Sequence, residues 1–182
     1  MPTPIVDANY RFIAAYNEVN ARVAQRQQAL ALYVSLIVSL LAALVALRPS
    51  SSTTQAPVEW LILGFPVASV CFAFLNYKAE KAITNLRTFL SMLERLGGAN
   101  EHLPSYNTDP KWSRNANKAR RYHDYAAAVL VAGGNLVGLG AANAIYPHRF
   151  SEAPAFMYVA LALAVGSFLV VFLTPRWSYV PE

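Results

Sequence analysis

The sequence predicts an all-α polytopic membrane protein, with four transmembrane helices in two hairpins and helical extensions on the cytoplasmic side. Three observations predict it. Of 182 residues, 55% are apolar and 14% charged, whereas a soluble domain usually has about 25% charged residues. Four uncharged apolar runs follow one another, each near the roughly 20 residues that cross a bilayer core. Lys and Arg are divided unevenly, thirteen on one side of the runs against Arg48 and Arg149 on the other, which places both ends and the central segment in the cytoplasm. The chain then divides into a cytoplasmic amphipathic helix over 1–28, a hairpin over 29–77, a cytoplasmic helix and basic loop over 78–124, a second hairpin over 125–175 and a cytoplasmic tail over 176–182. The net charge of +5 follows from the basic cytoplasmic segments, so no direct nucleic-acid binding is expected.

Met1 to Val6 has two prolines and no basic residue, so it does not read as a cleavable signal, and targeting falls to the spans. Asp7 or Asn9 can cap a helix whose Phe12, Tyr16, Val19 and Val23 share one face. That face can lie in the headgroup layer or pack on another helix. Packing is the preferred reading, because the stripe is narrow and the helix runs straight into the first span. Between Arg26 and Arg48, twenty-one residues carry no charge. Ser35 and Ser39, one turn apart, are expected to bond back to backbone carbonyls, with a pore or helix contact as the alternative. The Ser- and Pro-rich segment from Arg48 to Val58 reads as a short external turn.

The second span begins at Trp60 and has eighteen uncharged residues up to Tyr77, with Gly64 and Pro66 inside it. No helix breaker separates it from a charged amphipathic stretch beginning at Lys78. There Ala82, Leu86, Phe89, Leu93 and Leu96 step by four and three, the spacing of a seam for another helix. Gly97-Gly98 supplies a left-handed stop. An ordered loop is expected from Ala99 to Arg114, and a helix from Asn115.

The basic cluster around that restart has two readings. Arg114, Lys118, Arg120 and Arg121 can meet anionic headgroups and fix orientation. Alternatively, Arg120 and Arg121 bind a phosphate while Tyr106, Trp112 or Tyr122 stacks on a base. The third span, between Asp124 and Arg149, has Gly134 and Gly138 at the spacing that lets helices approach closely, with amides at Asn135 and Asn143. An unpaired amide is costly in hydrocarbon, so these four residues mark a helix-packing face. A polar turn leads to a fourth run, ended by Pro175, and Trp177 and Tyr179 suit the headgroup layer.

No catalytic constellation is expected. His102, His123 and His148 are far apart, Cys71 is the single cysteine, and no nucleotide-binding glycine loop or nucleophile elbow occurs. Neither a metal nor a cofactor is predicted. The absence of acids and bases within the spans argues against proton-coupled transport.

The order of elements over Tyr10 to Leu96, a basic N-terminal helix, an apolar hairpin with a Ser/Pro turn, then Asn76-Tyr77-Lys78-Ala79 leading a long cytoplasmic helix, resembles SLATT-type bacterial effectors. The chain departs from that pattern by adding two spans. The resemblance implies an oligomeric, non-enzymatic protein of the bacterial inner membrane that forms pores or perturbs the bilayer in antiphage defence, triggered by a nucleotide signal or a cytoplasmic protein partner. The alternative is a structural subunit that anchors a soluble partner to the bilayer.

Overall fold

A computed structural model describes residues 7–48, 58–152 and 154–180. The expected external turn over 49–57 and the N-terminal segment Met1 to Val6 lie outside the described residues. The elements are α1 (Ala8–Ala46), α2 (Val58–Glu94), a 3-10 turn (Leu96–Gly98), α3 (Ala99–His102), α4 (Pro110–Ile145), α5 (Pro147–Glu152), α6 (Pro154–Leu173) and a final 3-10 turn (Thr174–Trp177). The fold is all-α, and four helices are long and apolar enough to cross a membrane.

Helix length organises the molecule. At 1.5 Å per residue, the 39, 37 and 36 residues of α1, α2 and α4 extend about 54–58 Å, against a hydrocarbon core of about 30 Å. The 20 residues of α6 match that core and no more. Three helices therefore overhang at one end of the bundle and build a projecting domain. Each passes from the apolar segment into that domain without a break, and α2 runs through Pro66 as a single helix.

The helices pack in a closed cycle, α1 on α2, α2 on α6, α6 on α4 and α4 on α1, with α2 and α4 also touching across it. Small residues permit the close approaches. A Cβ at Gly138 would meet the Phe65 ring, and one at Gly134 would lie 2.9 Å from the Tyr33 hydroxyl. Phe65, Leu44, Ile62, Val131 and Val171 fill the centre. Within the apolar segment, Asn135 Nδ2 donates to Ser69 Oγ at 2.7 Å and to the Val131 carbonyl at 2.8 Å, which partners the nitrogen of an amide otherwise stranded in hydrocarbon, while Oδ1 is buried without a hydrogen-bond partner. Ser39 Oγ donates to the Ser35 carbonyl at 2.9 Å. At the far end the Tyr146 hydroxyl donates to the Leu47 carbonyl at 2.7 Å, one of the carbonyls that the end of a helix leaves without a partner.

Local chemistry fixes the ends. Asp7 Oδ1 accepts from the Tyr10 N–H at 2.7 Å and caps α1. Gly97 and Gly98 have φ of 65° and 74°, left-handed values that glycine adopts without a Cβ clash, and they turn the chain after α2. The restart comes at Pro110, five residues earlier than the expected Asn115. Asp109 accepts from the Lys111 N–H at 2.8 Å, and Pro110 occupies the first helical turn, where its missing N–H costs nothing. Glu94 ties down the preceding turn, accepting from the backbone N–H groups of Asn107 and Thr108 at 2.9 and 3.0 Å.

Candidate functional site

The buried face of α2 beyond Tyr77 carries charge. Glu80, Ile83, Arg87, Leu90 and Ser91 are buried, while Ala82, Leu86 and Leu93 are half-buried and Phe89 and Leu96 exposed. The contact stripe keeps the expected rhythm of four and three but sits at a different rotation about the helix axis. Apolar periodicity alone places Glu80 and Arg87 in solvent; partners on other helices bring them inside.

Those partners meet where the spans give way to the projecting domain. Arg26 of α1 is 4% exposed, and Glu80 and Asn76 of α2 are fully buried. Arg26 Nε donates to Asn76 Oδ1 at 2.5 Å and Nη1 to Glu80 Oε2 at 3.2 Å, while Nη2 pairs with the carboxylate of Asp124 on α4. Arg120, one turn before Asp124, donates from Nη2 to Glu80 Oε1 at 2.6 Å. Asn76 Nδ2 donates to Thr174 Oγ1 at 3.4 Å, which brings the end of α6 into the same junction. Two guanidiniums and two carboxylates balance, so removing one member leaves an uncompensated buried charge. Burial lowers the Arg26 guanidinium to about 10, against the opposing pull of Glu80, with Arg120 lowering it further. His123, with a buried Nε2 that has no hydrogen-bond partner, is shifted below the usual imidazole range by burial and by Arg26.

A second polar cluster lies two turns further out. Arg87 Nη1 donates to Asn117 Oδ1 at 2.7 Å and Nε to Asn107 Oδ1 at 3.3 Å. The Tyr179 ring lies 5.0 Å from the centre of the guanidinium. The tail is strapped across α2 and α4: Tyr179 donates its hydroxyl to the Asn107 carbonyl at 3.1 Å, and Asn117 Nδ2 donates to the Tyr179 carbonyl at 2.6 Å. Trp177 sets its edge on Tyr77, with centroids 5.1 Å apart. Tyr179 is thus buried in the projecting domain, away from the headgroup layer to which its sequence position assigns it.

The expected anion pocket is not assembled. Arg120 turns inward to Glu80, Arg121 is exposed, and Tyr106, Trp112 and Tyr122 are exposed, with Lys111 above the Trp112 ring at 5.0 Å. Successive helix positions are about 100° apart, so the two guanidiniums diverge. Of the expected packing face, Asn135 and Gly138 are buried, Gly134 is half-buried against Tyr33 and Ile37, and Asn143 is exposed. Lys111, Arg114, Lys118 and Arg121 form an exposed basic stripe on α4. Among the described residues no group of His, Cys, Asp or Glu is placed to hold a metal ion.

Arg26, Asn76, Glu80, Asp124 and Arg87 carry the geometry; apolar periodicity points to none of them, and Asn76 enters the sequence reading only within the stretch that carries the resemblance. One signal was present: Arg26, Glu80 and Asp124 all lie within about a turn of the same end of an apolar run, with opposite signs. Comparison of the chain with protein-family models, characterised proteins and solved structures gives no match.

Proposed function

We propose that the chain is a non-enzymatic membrane effector of the SLATT-like kind, which as an oligomer perturbs or permeabilises a bacterial inner membrane when a signal reaches its cytoplasmic projecting domain. The observation that carries this reading is the charged junction at the point where α1, α2 and α4 pass unbroken out of the spans. Helices that continue across the boundary transmit rotation or displacement, and an ion-paired junction has discrete arrangements rather than a continuum. A ligand that prefers one arrangement of the projecting domain therefore biases the spans. The bias of Lys and Arg, thirteen against two, supports a cytoplasmic projecting domain and cytoplasmic termini.

Induced expression in bacteria loaded with a potential-sensitive dye tests the proposal. Depolarisation that the junction variant Glu80→Ala abolishes, at equal membrane abundance, is the expected result. Unchanged polarisation in stressed or phage-challenged cells overturns it.

A second reading, a membrane anchor for a soluble partner protein, is supported by Tyr10, Ile13 and Tyr16 of α1, which are more than half exposed although they belong to the overhang. Purification from membranes separates the two. A stoichiometric soluble protein that is lost with Ile13→Asp favours anchoring.

A further inference from the structure

Arg87 is a buried cation of the projecting domain whose surroundings leave one of its donors unanswered. Its side chain is 6% exposed, and Nη2 is buried without a hydrogen-bond partner. Its other donors go to two neutral amides, and among the described residues no carboxylate comes within ion-pair distance of it. The junction shows how this chain neutralises a buried guanidinium, with a carboxylate on each of two sides. Glu94 reaches Arg87 only through Asn107, which donates to Glu94 from Nδ2 at 2.8 Å. A buried cation whose direct partners are neutral costs several kcal/mol, so among the described residues the site is one that would favour a negative charge in direct contact.

The tail shows the shape of what fits there. Tyr179 lays an aromatic ring over the guanidinium, gives a carbonyl oxygen to Asn117 Nδ2 and points a hydroxyl donor at the Asn107 carbonyl. Among the described residues an acceptor, a ring and a distal donor are in place, and no carboxylate pairs with Arg87. If the tail lifts, Asn117 Nδ2 loses its acceptor and Arg87 Nη2 has none already, which leaves two donors for an oxyanion, and the guanidinium face is free for another ring.

We propose that Arg87, Asn107 and Asn117 form a binding site for a small cytoplasmic oxyanion carrying an aromatic ring, and that the tail over 174–180 covers this site as a strap until the ligand displaces Tyr179. Position favours a soluble ligand over a lipid headgroup. Arg87 is ten residues beyond Tyr77, about 15 Å along α2, whereas the headgroup layer is about 5–8 Å deep on each side. The proposal rests on the reading that the projecting domain receives the signal, and it supplies the site for that signal.

The test is calorimetric titration of the full chain in lipid nanodiscs, with AMP as the probe, inorganic phosphate as the charge without the ring and adenosine as the ring without the charge. Saturable AMP binding is expected, weaker for phosphate and adenosine by about tenfold or more, reduced by at least that factor in Arg87→Gln and unchanged in the surface control Lys118→Gln. Because removing the competing tail raises the binding-competent fraction, Tyr179→Ala binds AMP several-fold more tightly. A structural role for Arg87 predicts no such gain, so this arm decides the matter if Arg87→Gln does not fold. Overturning results are absence of saturation at millimolar AMP in both wild type and Tyr179→Ala, equal binding by Arg87→Gln, adenosine binding as tightly as AMP, or no tightening in Tyr179→Ala. Phosphate binding as tightly as AMP removes the ring from the proposal and overturns the assignment of Tyr179 as its stand-in. Binding is read directly, so a chain that binds AMP in this way but never depolarises cells loses the effector reading and keeps this site.

Discussion

Glu80→Ala is the sharpest test of the junction. Glu80 is fully buried, and its two oxygens serve two cations, Oε1 accepting from Arg120 at 2.6 Å and Oε2 from Arg26 at 3.2 Å. At a charge separation of about 4 Å and an effective dielectric near 20, each pair is worth about 4 kcal/mol of attraction. The several kcal/mol that burial of the carboxylate costs no longer apply once it is gone. The balance expected on removing one partner of a buried pair is about 3–5 kcal/mol of destabilisation, because Arg120 loses its carboxylate and the junction goes from neutral to a net positive charge. Replacing both partners, Glu80→Met with Arg120→Met, leaves the neutral Arg26–Asp124 pair in place and two apolar side chains of similar length. The double variant is therefore expected to be more stable than Glu80→Ala alone. Reversible unfolding in mixed detergent micelles, followed by far-UV circular dichroism, measures both. A single variant within about 1 kcal/mol of wild type, or a double variant less stable than the single one, refutes the claim that buried charge balance holds α1, α2 and α4 together.

Three further outcomes follow from the packing and the titrating groups. Gly138→Ala forces a Cβ to within 2.4 Å of the buried Phe65 ring and is expected to cost about 1–3 kcal/mol in the same assay, whereas Gly140→Ala meets nothing within 4 Å and is expected to be neutral. Asn135→Leu removes the donor to Ser69 and is expected to cost about 0.6–2 kcal/mol; no loss would mean that the amide is not held as described. His123 titrates below its unfolded value of 6.5, so as pH falls through that value the unfolded chain takes up the proton before the folded chain does. Stability is then full above the unfolded pKa and falls on acidification below it, and His123→Gln is expected to flatten the decline between pH 7 and the folded pKa.

Much of the architecture was legible because it depends on local composition. Uncharged runs of sufficient length specify spans whatever they pack against, Asp7 and Gly97-Gly98 act through their own backbone, and Gly134 with Asn135 marks a packed face since an amide in hydrocarbon needs a partner. The restart at Pro110 was also written locally, in Asp109-Pro110, a cap followed by the residue best suited to the first helical turn. Length already carried the overhang, since α2 has no breaker between its apolar half and Glu94.

The contents of the junction were decided only in three dimensions. Arg26, Glu80, Arg120 and Asp124 come from three helices, and each alone reads as a charge at a membrane boundary, where water or headgroups would satisfy it. Whether such a group is solvated or buried depends on the rotation and register of the neighbouring helices, which the 3.6-residue period does not fix. The same holds for the strap: Tyr179 is amphipathic enough for a headgroup layer, and what draws it in is Arg87, a buried cation on another helix with no carboxylate within ion-pair distance among the described residues. The sequence by itself determined how many times the chain can cross a bilayer and how far its helices overhang. The tertiary structure decided which charges are hidden there, because the cost of burying Arg26, Glu80, Arg120 and Asp124 is offset only where different helices bring opposite charges alongside.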